Sequence, residues 1–147
     1  MTLSILDLLE GHNPLIAVVG ANDNPDKFGH RIYRDLKRKG YRVVPVNPNR
    51  ATVDDDVCYA RLADLPERPD IVNIVIPPAA ATRVVRECLD LGWRNVWLQP
   101  GAESSELLKF LEENEVNYLA QACIMVKSRA RTDPHGEAPH TPDRAIE

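Results

Sequence analysis

The sequence predicts a doubly wound α/β domain: a parallel sheet of about five strands with helices on both faces. Three observations predict it. Apolar runs of strand length alternate with stretches of helical periodicity, and most of these segments stop at Gly or Pro. The first run, Leu15-Ile16-Ala17-Val18-Val19, is continuously apolar, as in a strand covered on both faces. Successive strands are separated by a dozen or more residues, the length of a right-handed crossover between parallel neighbours. At 147 residues the chain has the length of one domain.

The elements follow in order. Leu3, Ile5, Leu6, Leu8 and Leu9 mark a short helix that Gly11 and Pro14 terminate. Leu15 to Val19 form the first strand, ending at Gly20. Residues 31–39, with Ile32 and Leu36 four apart and Gly40 behind them, form the first crossover helix. Residues 41–46 are β-branched and read as the second strand, with Pro45 where no backbone donor is needed. Residues 49–69 are irregular apart from a short helix over 59–65. Residues 71–76 form a strand stopped by Pro77-Pro78, and residues 79–91 a helix closed by Gly92. A fourth strand covers 94–99. Ser104 or Ser105 then caps a helix bearing Leu107, Leu108 and Leu111, and residues 116–120 form the fifth strand. The arrangement is Rossmann-like, and it occupies residues 1–127. Residues 128–147, with Pro134, Pro139 and Pro142 and few apolar side chains, are expected to be a disordered tail.

Composition excludes several function classes. Eighteen Lys and Arg against 22 Asp and Glu give a net charge of -4, which offers no overall attraction to nucleic acid or an anionic membrane. No apolar run approaches the ~18 residues of a membrane span, and the N-terminus lacks the pattern of a signal peptide, so the expected location is the cytoplasm. The thiols Cys58, Cys88 and Cys123 are far apart and lack metal-ligand spacing. No metal site is expected.

Ligands of open α/β sheets bind beyond the carboxyl ends of the strands, where the strand order reverses. The candidate loops are therefore the five strand exits. Gly20-Ala21-Asn22 leads from a buried strand toward a helix N-terminus, whose unpaired N–H groups and positive dipole end favour a phosphate. Lys27 or Arg31 could add charge there. The loop departs from the dinucleotide pattern GxGxxG. The second strand ends in Asn47 and Pro48, where a nicotinamide-dependent enzyme places an acidic residue for the ribose hydroxyl.

Taken together, Gly20-Ala21-Asn22 through Lys27 and Gly29, GYRVVPVNP ending at Pro48, Ile76-Pro77-Pro78, VWLQPG ending at Gly101, and Cys123-Ile124-Met125 resemble the small, stand-alone CoA-binding proteins. Those are similar to the CoA-binding domain of succinyl-CoA synthetase α subunits. The resemblance covers residues 15–127. It implies CoA or an acyl-CoA as ligand, with Gly20, Ala21 and Asn22 at the pyrophosphate and Asn47 and Pro48 beside the nucleotide. Arg50 would be the basic contact, Ile76, Pro77 and Pro78 an apolar wall for adenine or pantetheine, and Gln99 and Gly101 neighbours of the ligand. Many such proteins have Ser in place of Asn22.

The synthetase carries a phosphohistidine on a second domain that has no counterpart here, and no catalytic His, Ser and Asp arrangement falls at a strand exit. The reading is therefore a binding module without its own catalytic machinery, which senses, sequesters or presents CoA, with a protein partner possible. The alternatives are a divergent nicotinamide oxidoreductase, the CoA-binding component of a multisubunit acyl-CoA ligase, or a scaffold with a vestigial site. Cys123, at the exit of the fifth strand, is the candidate reactive thiol and could form a mixed disulfide by exchange with oxidised CoA, one CoA leaving as the thiol. Its simpler role is an inert buried thiol. His30 reads as a solvated helix residue, and Trp97 as core.

Overall fold

The computed structural model describes residues 3–131. Helix α1 (Ile5–Leu9) starts at Ser4, whose hydroxyl accepts from the Asp7 amide. Strand β1 (Leu15–Val19) leads through a polar loop to α2 (Phe28–Arg38) and β2 (Arg42–Val46). A two-stranded hairpin of β3 (Thr52–Val53) and β4 (Asp56–Val57) and a 3₁₀ turn (Leu62–Asp64) follow. The second half runs β5 (Ile71–Ile74), α3 (Pro78–Leu91), β6 (Asn95–Leu98), α4 (Ser105–Glu113), β7 (Asn117–Ala120) and α5 (Ile124–Lys127).

The main sheet has the order β2-β1-β5-β6-β7, and every pair in it is parallel. Alternation of side chains along each strand divides the core into two layers. Ile16 and Val18 of β1, Ile71 of β5 and Trp97 of β6 pack with Ile5, Leu9, Ile32, Leu36 and Ile124, which places α1, α2 and α5 on one face. Ala17, Val19, Val72, Ile74, Val96 and Leu98 pack with Val85, Cys88, Leu107 and Leu111, so α3 and α4 cover the other. All five residues of β1 are buried, as its unbroken apolar run predicts. Trp97 is fully buried and donates its indole N–H to the Ala122 carbonyl at 2.7 Å, the partner a buried indole needs.

Two segments differ from expectation. Helix α2 begins at Phe28 rather than residue 31. The short helix expected over 59–65 is only the 3₁₀ turn, because Tyr59 instead extends the sheet edge: its amide donates to Pro45 O and its carbonyl accepts from Asn47 N. The β3–β4 hairpin turns at Asp54 and Asp55, both with positive φ, and is clamped to α2. Lys37 Nζ lies 3.0 Å from Asp54 Oδ2 and 2.9 Å from Asp56 Oδ2, and the Tyr33 hydroxyl also donates to Asp56. Burial and the adjoining Asp56 carboxylate both push the Tyr33 hydroxyl upward in pKa. Partial burial raises Asp56, but the hydrogen bonds from Tyr33 and Lys37 outweigh it and hold the carboxyl below its ordinary value.

The domain also extends past the expected boundary at Lys127. Lys39 Nζ donates to the Met125 carbonyl and the Ser128 hydroxyl, and Lys39 O accepts from Arg131 N at 2.8 Å. The Arg131 guanidinium donates to the carbonyls of Leu9 and Gly11 and lies over the Tyr41 ring. Charged donors reaching backbone carbonyls hold this stretch, so its low apolar content was a poor guide. Residues 132–147, the rest of the expected tail, lie outside the described residues.

Candidate functional site

The strand order puts the reversal between β1 and β5. The chain leaves β1 for α2 on one face and leaves β5 for α3 on the other, so a crevice opens at their carboxyl ends. Gly20 forms its floor with φ +105°, and a Cβ there would lie 2.7 Å from Ile76 Cγ2 and 3.0 Å from Val75 O. Only glycine fits. Gly29, the second residue of α2, is equally constrained: a Cβ on it would meet Gly20 O at 2.0 Å. The first turn of α2 therefore rests directly on the backbone of Gly20 and Ala21.

The loop between them is a chain of side-chain-to-backbone hydrogen bonds. Asn22 Oδ1 accepts from Asn24 N, and Asn24 Oδ1 accepts from Asp26 N. His30 Nδ1 lies 3.3 Å from Asn22 O and braces the loop from the helix. Asn47 joins the exits of β1 and β2, donating Nδ2–H to Ala21 O at 2.9 Å while its Oδ1 accepts from Asn49 N. Arg50 pairs with Asp23 at 2.9 Å, and the other oxygen of Asp23 accepts from Asp54 N. The Lys27 side chain is exposed and has no ion-pair partner among the described residues.

Helix capping marks the same place. Ser4 and Ser104 cap α1 and α4 with hydroxyl oxygens, but α2 begins at Lys27 and α3 at Pro77 with no side-chain cap. At the crevice the N–H groups of Phe28 and Gly29 in the first turn of α2 are therefore left for a ligand or water, whereas α3, which opens with Pro77 and Pro78, offers no N–H before Ala79. Below them, on the α3 side, lies an apolar cavity of about 380 Å³. Val19, Gly20, Val46, Leu62, Ile76 and Val84 form much of its wall, with Pro48 and Ala80 beside them and Arg61 and Arg83 among the charged lining residues. Pro77 and Pro78 carry the chain from Ile76 into α3.

The exit of β6 is closed. Gln99 is 2% exposed; its Nε2 donates to Asn73 Oδ1 at 2.7 Å and its Oε1 accepts from Ile124 N at 3.1 Å. Its amide is a plug between β5, β6 and α5. Gly101 has φ +97° and open space around its Cα, so it serves a turn, with its amide donating to Glu103. Cys123 stands at the start of the four-residue α5, half-buried, beside that plug. Of the sequence-expected residues, Gly20, Ala21, Asn22, Lys27, Asn47, Pro48, Arg50, Ile76, Pro77 and Pro78 gather around the crevice, whereas Gln99, Gly101 and Cys123 belong to the closed side.

Comparison with known families matches residues 15–129 to a family described as the CoA binding domain. The chain belongs to that family. An uncharacterized Bacillus subtilis protein, YneT, is 31% identical over 114 residues, which cover 76% of this chain and 82% of YneT. The α subunit of the ADP-forming acetate–CoA ligase II of Pyrococcus furiosus is 32% identical over 82 residues, 55% of this chain. That match spans only 18% of the ligase subunit, so the relationship to the ligases is to one part of a much longer protein. Among solved structures, a conserved hypothetical protein from Pyrococcus furiosus superposes with a TM-score of 0.76 at 42% identity, covering 78% of this chain and 99% of that one.

Within this CoA-binding domain, residues that sequence reading passed over prove structurally decisive. Gly29, named above only within the family resemblance and given no role there, takes the packing place of the last glycine of a dinucleotide loop, nine positions after Gly20. Ala80, Arg83, Val84 and Glu87 share one face of α3 by their spacing, and all four line the cavity. That spacing is present in the sequence, but the segment that shares the cavity with it, Ala60 to Leu62, lies some twenty residues earlier in the chain. Asp23 carries no motif, and only its pairing with Arg50 reveals its place. Among the described residues no group of His, Cys, Asp and Glu could hold a metal ion, and no helix is long and apolar enough to cross a membrane.

Proposed function

We propose that this chain binds CoA or an acyl-CoA in the β1–β5 crevice and performs no chemistry of its own on it. The observation that carries the reading is the continuity of two unlike surfaces. An uncapped helix start seated on Gly20 suits a pyrophosphate, and an apolar cavity walled by Val46, Ile76 and Val84 suits an adenine ring. Pro77 and Pro78 offer the pantetheine arm an apolar face that lacks N–H groups. Lys27 and the Asp23–Arg50 pair border the phosphates. A nicotinamide reading is disfavoured at Asn47, because a neutral amide stands where such an enzyme has a carboxylate for the ribose hydroxyls, and this amide already ties Ala21 O to Asn49 N.

Kinship with a part of acetate–CoA ligases supports a second reading, in which the chain presents CoA to a separate catalytic partner. Either way the first event is CoA binding. Thermal unfolding with CoA, acetyl-CoA, NAD and NADP at matched concentrations tests it. A ligand at 100 times its dissociation constant adds about 2.7 kcal/mol, which moves the midpoint by several degrees. The expected result is a rise with CoA and acetyl-CoA alone; a rise with NAD or NADP alone would overturn the proposal.

A further inference from the structure

We propose that Arg61 and Arg83 recognise the phosphate on the 3′ position of the CoA ribose, making the site selective for an adenine nucleotide phosphorylated on its ribose. The inference rests on the CoA reading above and names the group that sets its selectivity. An adenine ring in the cavity leaves its ribose at the mouth, and the cations lining that cavity come from two separate elements. Arg61 precedes the 3₁₀ turn, and Arg83 lies on the first half of α3. Neither is committed elsewhere. Arg83 is exposed and has no hydrogen bond or ion pair among the described residues, and Arg61 makes only a surface contact with Asp64 at 3.4 Å. Arg50, by contrast, is held by the Asp23 carboxylate and the Thr52 carbonyl.

The one carboxylate lining the cavity, Glu87, accepts from Ala63 N at 3.2 Å, which ties the 3₁₀ turn to α3 and so brings the two arginines to one cavity. Two guanidinium forks against one acid leave the lining net positive. A dianionic phosphate is the ligand group that such forks bind best.

Calorimetric titration of the full chain with CoA and dephospho-CoA, which lacks the 3′-phosphate, tests the assignment. The parent should bind CoA about tenfold more tightly than dephospho-CoA, the size expected for charge-assisted contacts at a solvent-exposed rim. In R61Q/R83Q the affinity for CoA should fall to that for dephospho-CoA, while dephospho-CoA binding stays within about twofold of the parent's. Arg50→Gln should retain the discrimination. Equal affinities in the parent, or discrimination that survives in R61Q/R83Q, would overturn the assignment. Should R61Q/R83Q bind neither nucleotide, Arg83→Lys decides: preserved dephospho-CoA binding with reduced preference supports the assignment, and unchanged preference overturns it. Failure of the parent to bind either nucleotide would instead overturn the CoA reading itself.

Discussion

The carboxyl edge of the sheet has two halves built on opposite principles. At β1 and β5 the helices start without side-chain caps, glycine lets backbones touch, and an apolar cavity stays open. At β6 the same edge is stoppered by the Gln99 amide, which joins Asn73 to the start of α5. Both halves end strands with Gly or Pro, and both looked like binding loops in the sequence. The difference teaches that a polar residue at a strand exit is a ligand contact only if no other element has claimed its hydrogen bonds.

The largest effect expected from breaking this contrast is at Gly29. Gly29→Val places a branched side chain against Gly20 O and should cost about 3 kcal/mol in denaturant unfolding, with CoA binding lost as α2 is pushed off the loop. Unchanged stability would show that α2 does not rest on Gly20. Next is Gln99→Leu, which strands the buried Asn73 side chain and the Ile124 amide and should cost about 2 kcal/mol. The same variant, measured below its melting range, should bind CoA as tightly as the parent. A weakened affinity with little loss of stability would return Gln99 to the binding site.

A smaller effect is expected at Lys27. Lys27→Ala should weaken CoA binding a few-fold at low salt and less at high salt, because an exposed cation meets a phosphate through screened solvent. Equal affinities at both salt concentrations would remove Lys27 from the site. The smallest effect is chemical and needs no mutation. Burial raises the pKa of Cys58, and burial with the adjoining Glu87 raises that of Cys88 to about 12, so both thiols hold few thiolates at neutral pH. Cys123, half-buried, should react first with a small thiol reagent or oxidised CoA, as peptide mass mapping would show. Earlier labelling of Cys88 would mean that the α3 face opens in solution.

The sheet was legible because its signal is local: five strand-length runs, four of them closed by Gly or Pro, needed no knowledge of neighbours. The β3–β4 hairpin was not. Its strands are two residues long, its turn uses Asp54 and Asp55 rather than Gly, and its hold on the domain comes from Tyr33 and Lys37, some twenty residues earlier in the chain. The start of α2 was obscured for a related reason. Phe28 is exposed and Gly29 is a poor helix former, and the close approach that explains Gly29 exists only in three dimensions. At the site, the structure brings Gly20 and the Pro77-Pro78 pair together at the crevice, as their positions at the ends of strands suggest. Gln99 has a strand-exit position visible in sequence, but its bonds to Asn73 and Ile124 are visible only in the structure.

Amide chemical-shift mapping during CoA titration tests the contrast most directly. The account predicts large shifts at Gly20 to Asp23, at Phe28 to His30 and at Val75, Ile76, Ala79 and Ala80, with Gln99, Cys123 and Ile124 nearly still. Shifts centred on Gln99 and α5, with the Gly20 loop unmoved, would contradict it.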